Sequence, residues 1–200
     1  NTTGGKVLPL EYLQSIPSFC RENNLASHLD GARVFNAAVA AQVSLDQISR
    51  NFDSLSICLS KGLGTPMGSV LCGSRELVKV ARKYRKMLGG GMRQAGIVAA
   101  AGLYALDNNI ERLAEDHANA QLLATELAQI DGIELVTVNT NMLFIKVAHG
   151  YAELREALFS QGIIFPKTAN KAGLIRLATH LDVSHSDILR VVTEIKQFMR

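Results

Sequence analysis

The sequence predicts an α/β chain that ends in a small α+β unit, and three observations carry that prediction. The apolar run Leu55-Ser-Ile-Cys-Leu59 reads as a buried strand that stops at Ser60-Lys61 and enters a turn holding Gly62, Gly64, Pro66 and Gly68. Leu25 to Leu29 reads as a second, shorter strand, with Asp30 at its carboxyl end and Gly31 opening the next turn. Beyond Asp131-Gly132 the pattern changes to β, in the runs Ile133–Val138 and Met142–Val147 around an Asn139-Thr-Asn hairpin turn.

The remaining elements follow from local signals. Pro9 to Asn23 reads as helical, with Pro17 expected to kink it or to start a second helix. Ala32 to Ala41 is helical, and Ser44 with Gln47 has the spacing of a capping box for a further short helix. Strands are expected at 54–59 and 67–72, then a helix from Arg75 to Met87 that Gly89-Gly90-Gly91 breaks sharply. Residues 92–105, rich in alanine and glycine, read as a closely packed helix, and a longer helix is expected from Asp107 to Gln129. A helix over 151–160, a strand over 173–178 and a final helix complete the small unit. Ser184 and Asp187 can cap that last helix, in which Ile188, Val191, Val192, Ile195 and Met199 recur at helical spacing. The domain boundary is expected near residue 110, within or just before the long helix.

Composition bounds the function without choosing it. Two hundred residues can bury roughly 70% of their unfolded surface, enough for one large domain or two small ones. The 48% hydrophobic and 20% charged shares are ordinary for a globular chain. A net charge of +3, with scattered lysines and arginines, argues against a nucleic-acid partner. The one dense basic cluster, Arg82-Lys83-Tyr84-Arg85-Lys86, reads as the solvated end of a helix, with Lys86 the candidate to face a phosphate. No apolar run reaches the length of a membrane span and no secretion signal opens the chain, so a cytoplasmic setting with no membrane partner is expected. Cys20, Cys58 and Cys72 are odd in number and lack metal-ligand spacing; reduced, partly buried thiols and no metal are expected.

Lys61 and Asp30 carry the chemistry. Glycines after a strand end let a planar group approach the backbone closely. An amine held in an apolar site loses solvation, which favours its neutral, nucleophilic form. That is what a Schiff-base lysine needs; a lysine that caps the strand and points into solvent is the plainer alternative. Ligands of open α/β sheets sit outside the carboxyl ends of the strands, where Asp30 can pair with a buried cation and Arg33 can reach the same ligand. An Asp–Arg pair that caps the following helix is the alternative there. Taken together, two successive strand ends suggest a pyridoxal phosphate (PLP) site, with the lysine for the aldehyde and the aspartate for the pyridine nitrogen.

Seven words of sequence then carry a family resemblance: Gly5-Lys-Val-Leu-Pro9, His28-Leu-Asp-Gly-Ala-Arg33, Ile57-Cys-Leu-Ser-Lys-Gly-Leu-Gly-Thr-Pro66, Arg85-Lys-Met87, Gly89-Gly-Gly-Met-Arg-Gln94, Thr140-Asn-Met-Leu-Phe144 and Arg176-Leu-Ala-Thr-His-Leu-Asp182. In this order they resemble the low-specificity L-threonine aldolases, PLP enzymes of fold type I. The resemblance implies a mostly parallel large-domain sheet with helices, here partial over residues 1–110, and a small α+β C-terminal domain over 111–200. It implies a retro-aldol lyase that cleaves threonine or allo-threonine to glycine and acetaldehyde. Lys61 would carry the Schiff base, Asp30 would hold the ring nitrogen protonated, Arg33 would bond the phenolic oxygen and Arg176 would grip the substrate carboxylate. Arg93 and Lys86 would reach the cofactor phosphate of a neighbouring subunit, which implies a homodimer or homotetramer. His28, His117 and His180 receive structural roles.

Departures from the family set further expectations. The family reads Asn-Thr-His-Asn where this chain has Asn1-Thr2-Thr3-Gly4. The phosphate-binding loop and the histidine that stacks on the ring are expected upstream of Asn1, so the chain is expected to be part of a longer polypeptide and to need that part for a complete site. Two other readings stand beside the aldolase: another fold-type I PLP enzyme, an aminotransferase or a desulfurase, and a non-catalytic assembly module that requires an N-terminal partner.

Overall fold

The computed structural model describes residues 4–167, 170 and 172–200, and the sequence departure at Asn1–Thr3 lies outside them. The chain forms two compact units, one of Leu8–Leu113 and one of Ala114–Arg200 with the described part of Asn1–Val7.

The first unit opens with helix α1, Leu10–Glu22, then strand β1, His28–Asp30, and helices α2, Val34–Ala41, and α3, Leu45–Ser49. Pro17 neither starts a new helix nor ends this one: α1 runs through it and closes with hydrogen bonds from Asn23 N to Phe19 O (3.2 Å) and from Leu25 N to Cys20 O (2.9 Å). That closure holds Leu25 outside the sheet, with 54% of its surface exposed, so β1 starts three residues later than its apolar pattern predicts. The capping box of α3 forms as expected, Ser44 Oγ accepting from Gln47 N and Gln47 reaching back to the Ser44 amide.

Strands β2, Ser54–Cys58, and β3, Ser69–Gly73, complete a sheet of order β1-β2-β3. β1 runs parallel to β2, with Asp30 opposite Ser56, and β3 runs antiparallel to β2, with Cys58 opposite Ser69. Within this chain the sheet therefore has one parallel and one antiparallel pair. β2 is largely buried, whereas β3, an edge strand, is exposed along its whole length. Cys72 is thus exposed, while Cys20 and Cys58 are partly buried; all three are free thiols.

Helix α4, Arg75–Met87, is capped by Ser74 Oγ, which accepts from Leu77 N. Helix α5, Gly96–Asn108, starts later than the alanine-rich pattern predicts and buries only Gly102 and Ala105; Ile97, Leu103 and Tyr104 are exposed. The long helix predicted from Asp107 begins at Leu113 instead, as α6, Leu113–Leu127. Two side chains accompany the break: Asn108 Nδ2 donates back to Tyr104 O of its own helix (2.8 Å), and Asn109 Nδ2 donates to the distant Leu63 O (2.8 Å).

The second unit adds β4, Ile133–Asn139, β5, Met142–Val147, α7, Tyr151–Ser160, β6, Ile175–Ala178, and α8, His185–Phe198. Its sheet is antiparallel throughout, in the order β4-β5-β6, with Thr140 at a positive φ of 50° in the hairpin turn. The core of this unit packs Leu143, Ile145 and Ile175 of the sheet against Leu127, Leu154, Ile188 and Ile195 of the helices. Ser184 and Asp187 form the expected capping box of α8. Among the described residues no helix is long and apolar enough to cross a membrane.

Two expected outcomes follow. Leu143 is fully buried, so Leu143→Ala should destabilise the second unit by about 2–5 kcal/mol in denaturant unfolding, through lost transfer energy and the cavity left behind. In the first unit, hydrogen bonds from the backbone and side chain of Ser27 hold the Asp53 carboxyl below its ordinary value of 3.8. A carboxylate with a depressed folded pKa contributes stability that is full above the unfolded value and is lost as pH falls through the folded one. An NMR titration should therefore place Asp53 below 3.8, and Asp53→Asn should remove that part of the acid sensitivity.

Candidate active site

Asp30 and Lys61 both lie on the carboxyl side of one parallel strand pair. Parallel pairing of β1 with β2 puts both carboxyl ends on the same side of the sheet, with Asp30 ending β1 and Lys61 three residues beyond the end of β2. Asp30 is exposed and its Oδ1 accepts from Ala32 N at 3.2 Å, which orients the carboxylate over the turn into α2. Arg33, half-buried, stands at the N-terminal boundary of α2.

Gly31 lets this turn pass close to the sheet. A Cβ there would lie 2.3 Å from Leu55 Cδ1 and 3.0 Å from Ser56 O. The turn that carries Lys61 is fixed from beneath. Gly64 N donates to Lys61 O (2.9 Å), Thr65 N to Leu59 O (3.2 Å) and Leu59 N to Gly68 O (3.0 Å), while Thr65 Oγ1 donates to Met67 O (3.1 Å). Gly62, Leu63 and Thr65 are buried, and a Cβ on Gly62 would lie 2.7 Å from Leu113 Cδ2.

Lys61 itself is exposed, where the sequence pattern expects an amine in apolar surroundings. The reason is local: the turn spends its apolar side chain, Leu63, on the core below, and Ser60 and Lys61 project the other way. Sequence reasoning missed the residues that hold this turn, because Asn109 is 46 positions away from Leu63 and reads as part of a helix. The Asn108-Asn109 pair, two poor helix formers in succession, was the available signal.

The other predicted residues lie on other elements. Lys86 lies in the last turn of α4, and a Cβ on Gly91 would lie 2.6 Å from Lys86 Cδ, so the triple glycine lets the chain fold back against this lysine. Arg93 follows in the same connection and is exposed. Arg176 belongs to the second unit, on β6, opposite Phe144 of β5. It borders a cleft of about 480 Å³ lined also by Phe165, Thr179, His180 and Val183. His28 Nδ1 shares a 2.8 Å hydrogen bond with Ser54 Oγ. Burial holds His117 below its ordinary value of 6.5, against the opposing charge of Asp116. Among the described residues no cluster of His, Cys, Asp or Glu is placed to hold a metal ion.

An amine, a carboxylate and a guanidinium at one carboxyl edge can together hold a planar aldehyde that carries a basic ring nitrogen and an acidic oxygen. Comparison with known proteins fits this chemistry. The family model described as beta-eliminating lyase matches residues 1–149. The chain belongs to the beta-eliminating lyase family.

Relatives within it are close. The low specificity L-threonine aldolase of Escherichia coli (strain K12) is 48% identical over 200 residues, all of this chain and 59% of that protein. The low-specificity L-threonine aldolase 1 of Arabidopsis thaliana is 37% identical over 203 residues, 98% of this chain and 56% of the relative. The chain thus spans rather less than two thirds of these relatives' length. Among solved structures, a putative L-allo-threonine aldolase from Listeria monocytogenes aligns with a TM-score of 0.84 at 20% identity, covering 98% of this chain and 58% of that one. Threonine aldolase from Leishmania major aligns with a TM-score of 0.78 at 24% identity, with the same coverages. The alignments show that this beta-eliminating lyase family member has the α/β fold of those structures.

Gly31→Ala tests the close approach at the strand edge. The added methyl group must displace Leu55 or the Ser56 carbonyl, so a loss of about 1–3 kcal/mol in thermal or denaturant unfolding is expected.

Proposed function

We propose that this chain is the lysine-bearing part of a PLP-dependent aldolase that cleaves L-threonine or L-allo-threonine to glycine and acetaldehyde. The observation that carries the reading is the parallel pairing of β1 with β2, which sets Asp30 at the carboxyl end of one strand and Lys61 three residues beyond the carboxyl end of the other. The threonine aldolase names of relatives 48% and 37% identical to it support the substrate class.

When bound, PLP supplies an electron sink for the carbanion left by cleavage of the Cα–Cβ bond. The chain's own residues would do the rest. Lys61 would hold the cofactor through its Nζ at the aldehyde carbon, the aldehyde oxygen leaving as water, and would be released as the free amine when the substrate amine takes its place. Asp30 would keep a proton on the ring nitrogen, since a carboxylate beside it favours the charged form. Arg33 would donate to the phenolic oxygen. Arg176 would hold the substrate carboxylate through two parallel hydrogen bonds, a geometry that lysine cannot supply.

In this reading residues 1–110 contribute to the cofactor domain and 111–200 form the small domain that brings Arg176. Arg93 and Lys86 would serve the phosphate of a neighbouring subunit in a homodimer or homotetramer. Exposed Met87, Leu88, Met92 and Ile97 around the triple glycine support a protein contact there. Three free thiols support a reducing, cytoplasmic setting. The desulfurase alternative has little support, because Cys58 and Cys72 are fixed in the β2–β3 ladder and neither is on a mobile loop.

The test is borohydride reduction of the full polypeptide loaded with PLP, followed by peptide mapping. The label should fall on Lys61, and Lys61→Ala should lose both the label and threonine cleavage. A label spread over surface lysines, or a Lys61→Ala enzyme that still turns over, would contradict the reading. Asp30→Ala should slow turnover a hundredfold or more, equivalent to about 3 kcal/mol of transition-state stabilisation.

A further inference from the structure

The motif Thr140-Asn-Met-Leu-Phe144 has no part in the chemistry above, yet it borders Arg176. Phe144 lies opposite Arg176 and Met142 opposite Ala178, so these four side chains share one face of the small sheet. The ladder ends there, and Asn141 extends it. Its Nδ2 donates to Thr179 O at 2.7 Å, while its own carbonyl accepts from Thr179 N at 3.0 Å. Thr179 Oγ1 in turn donates to Asp116 O on α6 at 2.6 Å. Asn141 and Thr179 are 3% and 2% exposed, and Asp116 is fully buried.

This clamp is more polar than the sheet needs. The Asn141 Oδ1 atom is buried and accepts no hydrogen bond among the described residues, so the side chain is kept at a cost that an apolar residue would not carry. What the carboxamide secures is the point at which β6 leaves the sheet, three residues after Arg176. From the other side, the segment at Gly4 and Gly5 lies on the same face. A Cβ on Gly4 would sit 3.3 Å from the Phe144 ring, a Cβ on Gly5 2.5 Å from Met142 Cε, and Thr140 Oγ1 donates to Gly5 O at 3.1 Å.

We propose that Asn141, through its paired hydrogen bonds to Thr179, is a positioning residue that holds Arg176 in the orientation in which its guanidinium meets the substrate carboxylate. The proposal rests on the reading of Arg176 given above. Arg176 is a long, exposed side chain on a four-residue strand, and a bidentate grip tolerates little drift of its base. Asn141 and Thr179 fix the strand end, and the Gly4-Gly5 segment walls the face across which the side chain lies.

Asn141→Asp and Thr179→Val test this in the PLP-loaded full polypeptide, with Arg176→Ala in parallel. Asn141→Asp removes the donor at nearly constant shape, and Thr179→Val removes the hydroxyl that bonds Asp116 O at 2.6 Å and Asn141 O at 3.5 Å while leaving the backbone bond from Thr179 N. Each should raise KM for threonine by about tenfold with a much smaller change in kcat, the pattern of lost binding shared by ground and transition states. The preference for threonine over threonine amide, which lacks the carboxylate, should collapse in both, and the visible absorbance of bound PLP should persist. If Arg176→Ala abolishes that preference while both clamp variants keep it and lose only thermal stability, the positioning role is wrong. If Arg176→Ala itself leaves the preference intact, the carboxylate role of Arg176 falls, and the proposal with it.

Discussion

The Asp53 carboxylate and Ser27 hold two parallel strands in register, and the candidate site depends on that tie. Asp53 Oδ2 accepts from Ser27 N (2.7 Å) and from Ser27 Oγ (3.0 Å), and the same hydroxyl accepts from Asp53 N (3.0 Å). These bonds sit at the amino ends of β1 and β2, one residue before each strand begins. A slip of one residue would move Asp30 by about 3.3 Å along the sheet and turn its side chain to the opposite face. Carboxylate and amine would then no longer share an edge.

Rigidity of the lysine turn is the second requirement. A loop can carry a reacting group only when a scaffold fixes the loop. Here the scaffold reaches from below, through buried Leu63 and Thr65 and through Asn109, whose side chain caps the Leu63 carbonyl. Ser60, Lys61 and Gly64, together with Pro66 and Met67, are exposed on the turn's outward side. One face of the turn is thus held to the core while the other presents the candidate lysine.

Features that depend on near neighbours were legible in the sequence. The capping boxes at Ser44 and Ser184, helices α4 and α7, strand β5 and the ends of β1 and β2 as the location of Asp30 and Lys61 all follow from spacing and turn chemistry. Features that depend on distant partners were not. The start of β1 is set by the closure of α1 onto Leu25, and the gap before α6 accompanies the bond from Asn109 to a carbonyl 46 residues away. The exposure of β3 and of Ile97 on α5 has the same origin: apolar composition predicts burial, but only the packing decides which face finds a partner. At the site, residue types and strand ends were readable, whereas the exposure of Lys61 and the Asn141–Thr179 clamp were not.

A crystal structure of the full polypeptide with bound PLP tests the central claim most directly. Covalent density should run from Lys61 Nζ to the cofactor, with the Asp30 carboxylate within hydrogen-bonding distance of the ring nitrogen. A ring nitrogen turned away from Asp30, or a cofactor attached to another lysine, would contradict the shared strand-edge site.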